Sequence, residues 1–288
     1  MSGFGGLRVL SLESRRSVEL GKLITTYGGQ AIVAPSMREV PLASNEEALA
    51  FAAALFRHEF DVIVFLTGVG TRALLAVVET RHSRTEYVAA LQSVKIVARG
   101  PKPVAALREL GIIPTITAPE PNTWRELLQA MDGSGEPSKT LSLKGARIAV
   151  QEYGVSNPEL LAGLADRGAV VTRVPVYQWA LPEDLAPLRA AVQALANEAI
   201  DVILFTTSVQ AVHLFQIAEE MNLVGAMRAG LQNALIVSIG PTTSEELVRR
   251  GVPADLEPSH PKMGFLVKEA SEQAHALLQK KREKPASA

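Results

Sequence analysis

Two short runs, Thr206-Thr207-Ser208-Val209-Gln210 and Gly240-Pro241-Thr242-Thr243-Ser244, place hydroxyl-bearing residues where apolar β-branched segments give way to helix-forming ones. A helix start presents free backbone N–H groups and the positive end of the helix dipole, which together suit a carboxylate or a phosphate. Thr207, Ser208, Gln210, Gly240, Thr242 and Thr243 are therefore candidate anion-binding residues, with Thr67 and Gly68 at the matching point of the first half. Ser and Thr are also favoured as plain N-caps, and that reading stands beside the functional one. Arg15, Arg16, Arg72, Arg99 and Lys102 fall in loops of the same kind and could make a locally positive cleft. Taken one at a time, each could equally be a solvated side chain in a weak ion pair.

Gly68-Val-Gly-Thr-Arg-Ala73 fits G-x-G-x-x-A between a strand and a helix, so a dinucleotide site is an alternative to weigh. Against it, the next strand ends at Arg99 and not at an acidic residue, and the second half carries Ser208-Val-Gln-Ala211 in place of the glycines. An arginine there would suit NADP. Tyr177 lies in a proline-flanked extended stretch, where its phenol could donate a proton to a leaving group or could pack with Trp179 at an interface. There are no cysteines, which excludes disulfides, thiol nucleophiles and thiolate metal ligation, and the five histidines show no HExxH spacing. No metal site is expected.

An internal duplication positions these residues. Phe60-Asp-Val-Ile-Val-Phe-Leu-Thr67 matches Ile200-Asp-Val-Ile-Leu-Phe-Thr-Thr207, and Ile96-Val-Ala-Arg-Gly-Pro101 matches Ile236-Val-Ser-Ile-Gly-Pro241, both 140 positions apart. Leu7-Arg-Val-Leu10 matches Ala146-Arg-Ile-Ala149 at 139. Each copy alternates short Val/Ile-rich runs with longer amphipathic ones, the pattern of parallel βα units. The first copy reads as strands near 7–12, 31–35, 61–66, 94–98 and 114–117 with helices near 15–27, 45–58, 70–79, 102–110 and 123–131. The second reads as strands near 146–150, 170–174, 201–206, 234–238 and 253–256. The candidate residues then sit beyond the carboxyl ends of strands, where open α/β sheets bind ligands.

Proline-containing segments follow the second strand of each copy, Ala34 to Leu42 and Arg173 to Leu181, and both resist helix. They read as two equivalent interdomain connectors. The pattern permits tandem domains, one per copy, and equally a crossed arrangement in which the N-terminal piece joins the C-terminal part of the chain.

The ordered set Asp-Val-Ile-Leu-Phe-Thr-Thr-Ser208, Ile-Gly-Pro-Thr-Thr243 followed by Gly251, and Gly168 leading to Val-Pro-Val-Tyr-Gln178 resembles uroporphyrinogen-III synthase over roughly residues 7–275. The resemblance implies two similar flavodoxin-like, parallel-sheet α/β domains in the crossed topology, 1–38 plus 180–288 and 39–179. It implies cyclisation of hydroxymethylbilane with inversion of the last pyrrole ring and loss of water, a step of tetrapyrrole and haem biosynthesis that uses no cofactor. It matches Tyr177 to the family's tyrosine proposed to assist hydroxyl departure, and Thr207, Thr242 and Thr243 to substrate-facing loop residues. The first copy departs from the pattern, having Thr67-Gly68 and Gly100-Pro-Lys-Pro103 where the family often has Thr-Ser and Gly-x-x-Thr; Arg99 or Lys102 could supply a carboxylate partner there instead. A binding or regulatory relative without catalysis is the alternative.

Chain length and charge set the remaining limits. At 288 residues, two domains are the default. A formal net charge of -1 argues against a general nucleic-acid binder, and no apolar run approaches a membrane span. The expected partner is a small polycarboxylate, with no nucleic acid and no membrane, and the expected state is a cytoplasmic monomer. Residues 279–288, charged and without apolar periodicity, read as a frayed tail.

Overall fold

The computed structural model describes residues 3–41, 45–134, 140–152, 154 and 156–283. In chain order the elements are β1 (Arg8–Ser11), α1 (Ser17–Thr26), β2 (Gln30–Val33), β3 (Arg38–Pro41), α2 (Glu46–Phe56), β4 (Val62–Phe65), α3 (Gly68–Val78), α4 (Arg84–Gln92), β5 (Lys95–Ala98), α5 (Pro101–Arg108), β6 (Ile116–Thr117) and α6 (Trp124–Met131). They continue as β7 (Arg147–Gln151), α7 (Pro158–Asp166), β8 (Val170–Val174), β9 (Tyr177–Ala180), α8 (Ala186–Ala196), β10 (Val202–Phe205), α9 (Ser208–Glu220), α10 (Val224–Asn233), β11 (Leu235–Ser238), α11 (Pro241–Arg249) and α12 (Met263–Glu283).

The chain divides into two units, Met1–Arg38 with Ala180–Ala288, and Glu39–Trp179. The first holds a parallel sheet in the order β11-β10-β1-β2, the second one in the order β6-β5-β4-β7-β8. The pairing decides between the tandem and crossed arrangements: β1 of the first copy pairs with β10 of the second and carries β2 on its other side, and β7 of the second pairs with β4 of the first and carries β8. The connectors become β3 and β9, which pair with each other.

The central strands are buried at every position, and successive residues face opposite cores, as a sheet covered on both faces requires. In the first unit Val9, Val202, Leu204 and Val237 pack with α1 and α12, while Leu10, Ile203, Phe205 and Ile236 pack with α8 to α11. The second unit repeats this, with Val62, Val64, Ile148 and Val150 against α6 and α7, and Ile63, Phe65, Ile96 and Ala149 against α2 to α5.

One polar clasp is built twice at the amino ends of the central strands. The backbone N–H and Nε of Arg8 donate to Asp201 Oδ2 at 3.0 and 2.9 Å, and those of Arg147 donate to Asp61 Oδ2 at 2.8 and 3.2 Å. Each arginine also reaches a carbonyl beside a left-handed turn, that of Glu198 at 3.4 Å and of His58 at 3.1 Å. The copies differ in that Asp201 also receives Arg282 at 3.1 Å. These donors, Arg8 foremost, hold the Asp201 carboxyl down at about 2 against the opposing effect of burial.

Two details of the sequence reading are corrected here. Residues 279–283 of the expected frayed tail form the last turn of α12, where Lys281 donates to the carbonyl of Ala234 at 2.8 Å and Arg282 to that of Asn233 at 3.3 Å. These cations cap the carboxyl end of α10, a tertiary role that a local charge pattern does not reveal. Residues 284–288 lie outside the described residues. The expected strand near 253–256 is reduced to a single bridge between Leu256 and Val237.

Candidate functional site

In the first unit, three loops leave the carboxyl ends of adjacent parallel strands. After β10, Thr207 is the N-cap of α9 but its side chain makes no capping hydrogen bond, and Thr207 and Ser208 are both half-buried. Plain capping therefore does not account for the Thr207 hydroxyl. Gln210 has a different part from the one expected: fully buried, it accepts from the Thr206 N–H at 2.7 Å and donates to the Thr206 hydroxyl at 2.8 Å, so its amide is spent within the loop. After β11, the Gly240 N–H meets the Ser238 hydroxyl at 3.3 Å, and the Gly240 carbonyl accepts from Thr243 and Ser244 N–H at 3.0 and 3.1 Å as α11 begins. Thr243 is buried, which leaves half-buried Thr242 as the accessible threonine of that start. After β1, Arg15 and Arg16 are exposed and Arg16 pairs with Glu19 one turn on at 2.6 Å. Glu13, which no motif singled out, is buried here and accepts from the Arg15 and Arg16 N–H groups and from the Thr206 hydroxyl.

The second unit uses the equivalent positions differently. The Thr67 hydroxyl is spent on capping α3, accepting from the Gly70 N–H at 2.9 Å. A Cβ on Gly68 would stand 2.6 Å from the Lys102 carbonyl oxygen, and one on Gly70 would stand 2.0 Å from Gln151 Nε2. Both glycines of the G-x-G run are thus accounted for by close internal packing, without a dinucleotide. Arg72 is paired through its Nε with Glu109 at 2.9 Å, a charge partner 37 positions away, and this bond raises the arginine pKa and lowers the glutamate's. Arg99 is half-buried, with its N–H on the Phe65 carbonyl at 3.0 Å. Lys102 is exposed.

Tyr177 is 7% exposed, within the apolar cluster of the second unit, and its ring meets Trp179 edge-on with centroids 5.5 Å apart. The packing expected of this pair is present. Close to the first connector, His213 Nδ1 lies 2.7 Å from the Ser36 carbonyl, and burial lowers the imidazole pKa, with that hydrogen bond opposing. Glu13, Gln151 and His213 left no sequence signal except the position of Glu13, a carboxylate just ahead of a helix start. Among the described residues there is no group of three or more His, Asp or Glu side chains that could hold a metal ion. No helix among them is long and apolar enough to cross a membrane.

Two crossed parallel α/β units with hydroxyl-bearing helix starts at their strand ends define a two-domain α/β protein. The family model described as uroporphyrinogen-III synthase HemD matches residues 18–268, and the chain belongs to that family, whose members are enzymes acting on a small-molecule tetrapyrrole. The chain is 28% identical over 271 residues to the uncharacterized protein YjjA of Bacillus subtilis, covering 93% of this chain and 96% of that one. It is 27% identical over 242 residues to a Methanothermobacter thermautotrophicus protein whose name assigns it provisionally to uroporphyrinogen-III synthase, covering 83% and 87%. Among solved structures, a mutant uroporphyrinogen III synthase of Thermus thermophilus matches with a TM-score of 0.70 at 24% identity, over 96% of this chain and 100% of that one, a likeness of fold.

Proposed function

We propose that this protein is a uroporphyrinogen-III synthase, cyclising hydroxymethylbilane with inversion of the last pyrrole ring and loss of water, without a cofactor. The observation that carries the reading is the helix start at Thr207 and Ser208: a half-buried hydroxyl that does no capping, beside the first N–H groups of α9, in a chain of this family. Such a group suits one of the substrate's many carboxylates. Thr242 supplies a second such start. The linear substrate closes by itself to the unrearranged isomer, so the protein's task is to hold the chain ends where attack falls on the substituted carbon of the last ring. Tyr177 is assigned the assisting proton donor for the departing hydroxyl, with Trp179 holding its ring. Arg99 and Lys102 remain the candidates for direct carboxylate contacts in the second unit, whereas Arg72 is committed to Glu109.

The deciding experiment supplies hydroxymethylbilane made in situ and resolves the uroporphyrin isomers after oxidation. Type III product above the spontaneous background is expected; type I alone, at the spontaneous rate, would remove the enzyme reading. A second reading, an anion-binding relative without catalysis, draws support from the internal use of Thr67 and Arg72, and predicts substrate binding with type I product only.

A further inference from the structure

Glu13 lies in the first unit, two residues beyond β1 and 8% exposed, with three donors converging on its carboxylate. Oε1 accepts the N–H groups of Arg15 at 3.1 Å and Arg16 at 3.2 Å, just ahead of α1, and Oε2 accepts the Thr206 hydroxyl at 2.5 Å. A carboxylate accepts only, so the Thr206 hydroxyl must be the donor in that contact. The same oxygen then accepts from Gln210 Nε2 at 2.8 Å, which leaves Gln210 Oε1 to take the Thr206 N–H at 2.7 Å. The carboxylate of Glu13 therefore makes the Thr206 hydroxyl its donor and leaves that oxygen to accept from Gln210, in the loop that carries Thr207 and Ser208.

We propose that Glu13 is a positioning and specificity-determining residue: an internal anion that fills the donor cluster ahead of α1, closing it to external carboxylates, and that orients the start of α9 through Thr206. Substrate carboxylates in the first unit are thereby confined to the starts of α9 and α11. This role in substrate selection rests on the synthase reading, but the filled cluster and the oriented loop do not. Glu13 acts through Thr206 because its carboxylate is already served by three protein donors.

The test is chemical rescue. Glu13→Ala leaves a carboxylate-sized space among the same three donors, and formate is the probe. Formate is expected to raise the Tm of Glu13→Ala saturably above a chloride control of equal ionic strength, and to leave the wild type unchanged. Equal shifts in both proteins, or none in the variant, would overturn the proposal. With hydroxymethylbilane, Glu13→Ala is expected to lose about 10- to 100-fold in kcat/KM through a misplaced α9 start and to regain activity with formate. Thr206→Ser, which keeps the donor, is expected to stay near wild type. If Glu13→Ala does not fold, isosteric Glu13→Gln takes its place and amide hydrogen exchange is read at Thr206: faster exchange supports the role, and unchanged exchange overturns it. If the wild type forms no type III isomer the synthase reading fails, yet formate binding and hydrogen exchange still decide what Glu13 does.

Discussion

The space that a side chain at Gly70 would occupy is filled by the amide of Gln151, whose Nε2 lies 2.0 Å from where a Cβ would stand. In the other unit the matching helix position is Gln210, and the residue matching Gln151 is Leu12. One glutamine amide therefore serves each strand-to-helix loop, by way of the Thr67 N–H at 3.4 Å or, one position earlier in the repeat, the Thr206 N–H at 2.7 Å, but it is supplied from a strand in one unit and from a helix in the other. Gly70→Ala is expected to cost about 1–3 kcal/mol by overpacking. Gly70→Gln combined with Gln151→Leu, which moves the glutamine from the strand to the helix as in the first unit, is expected to recover most of what Gly70→Gln alone loses. Chemical denaturation of the single and double variants checks this, and additive losses would argue against the equivalence.

Thr67 and Thr207 hold matching positions with different duties. Thr67→Ala is expected to cost about 1 kcal/mol for its lost cap. Thr207→Ala is expected to change stability by no more than about 0.5 kcal/mol, because its hydroxyl caps nothing, while lowering type III product formation. Denaturation curves and the isomer assay on both variants separate the two duties.

Tyr177→Phe keeps the ring that meets Trp179 and removes only the hydroxyl. As a proton donor, Tyr177 predicts a kcat lower by about 100-fold or more with product affinity nearly unchanged. Turnover equal to wild type would leave the residue a packing role alone.

Acid stability follows from the clasp at Asp201. Its carboxyl is held at about 2 in the folded protein, against 3.8 for the free group, by Arg8 first and then Arg282. A depressed carboxylate stabilises the fold fully above the free value, and the contribution is lost as the pH falls from about 4 toward 2. At neutral pH it is worth about 2–3 kcal/mol, from a shift of roughly 1.8 pKa units at about 1.4 kcal/mol each. Asp201→Asn should therefore be less stable than wild type at pH 7, and the difference should vanish near pH 2 in urea titrations run across the range.

The duplication was legible because buried strands must be apolar, and Val62 to Phe65 and Val202 to Phe205 are apolar on both faces. The crossed pairing was not, since tandem and crossed arrangements bury the same residues. Helix α4 was overlooked although Ser83 and Glu86 form a capping box, because its own apolar periodicity is weak. At the site, residue type and strand-end position found Thr207 and Thr242. They did not separate Arg72 from the other basic residues, since its partner Glu109 is brought near only by the packing of α3 on α5. Gln210 shows the same limit, because a polar residue at a helix start reads alike whether it faces a ligand or its own loop.

The two arginine clasps tie the two copies of the repeat together. Arg8 grips Asp201 as Arg147 grips Asp61, so each copy supplies the arginine for the other's aspartate. Each copy also holds both halves of the clasp, Arg8 with Asp61 and Arg147 with Asp201. The contact is written identically in both and does not distinguish a copy's own strand from its neighbour's. In those terms the molecule is a domain swap enclosed within a single polypeptide: two like units, each completed by the first two strands of the other copy.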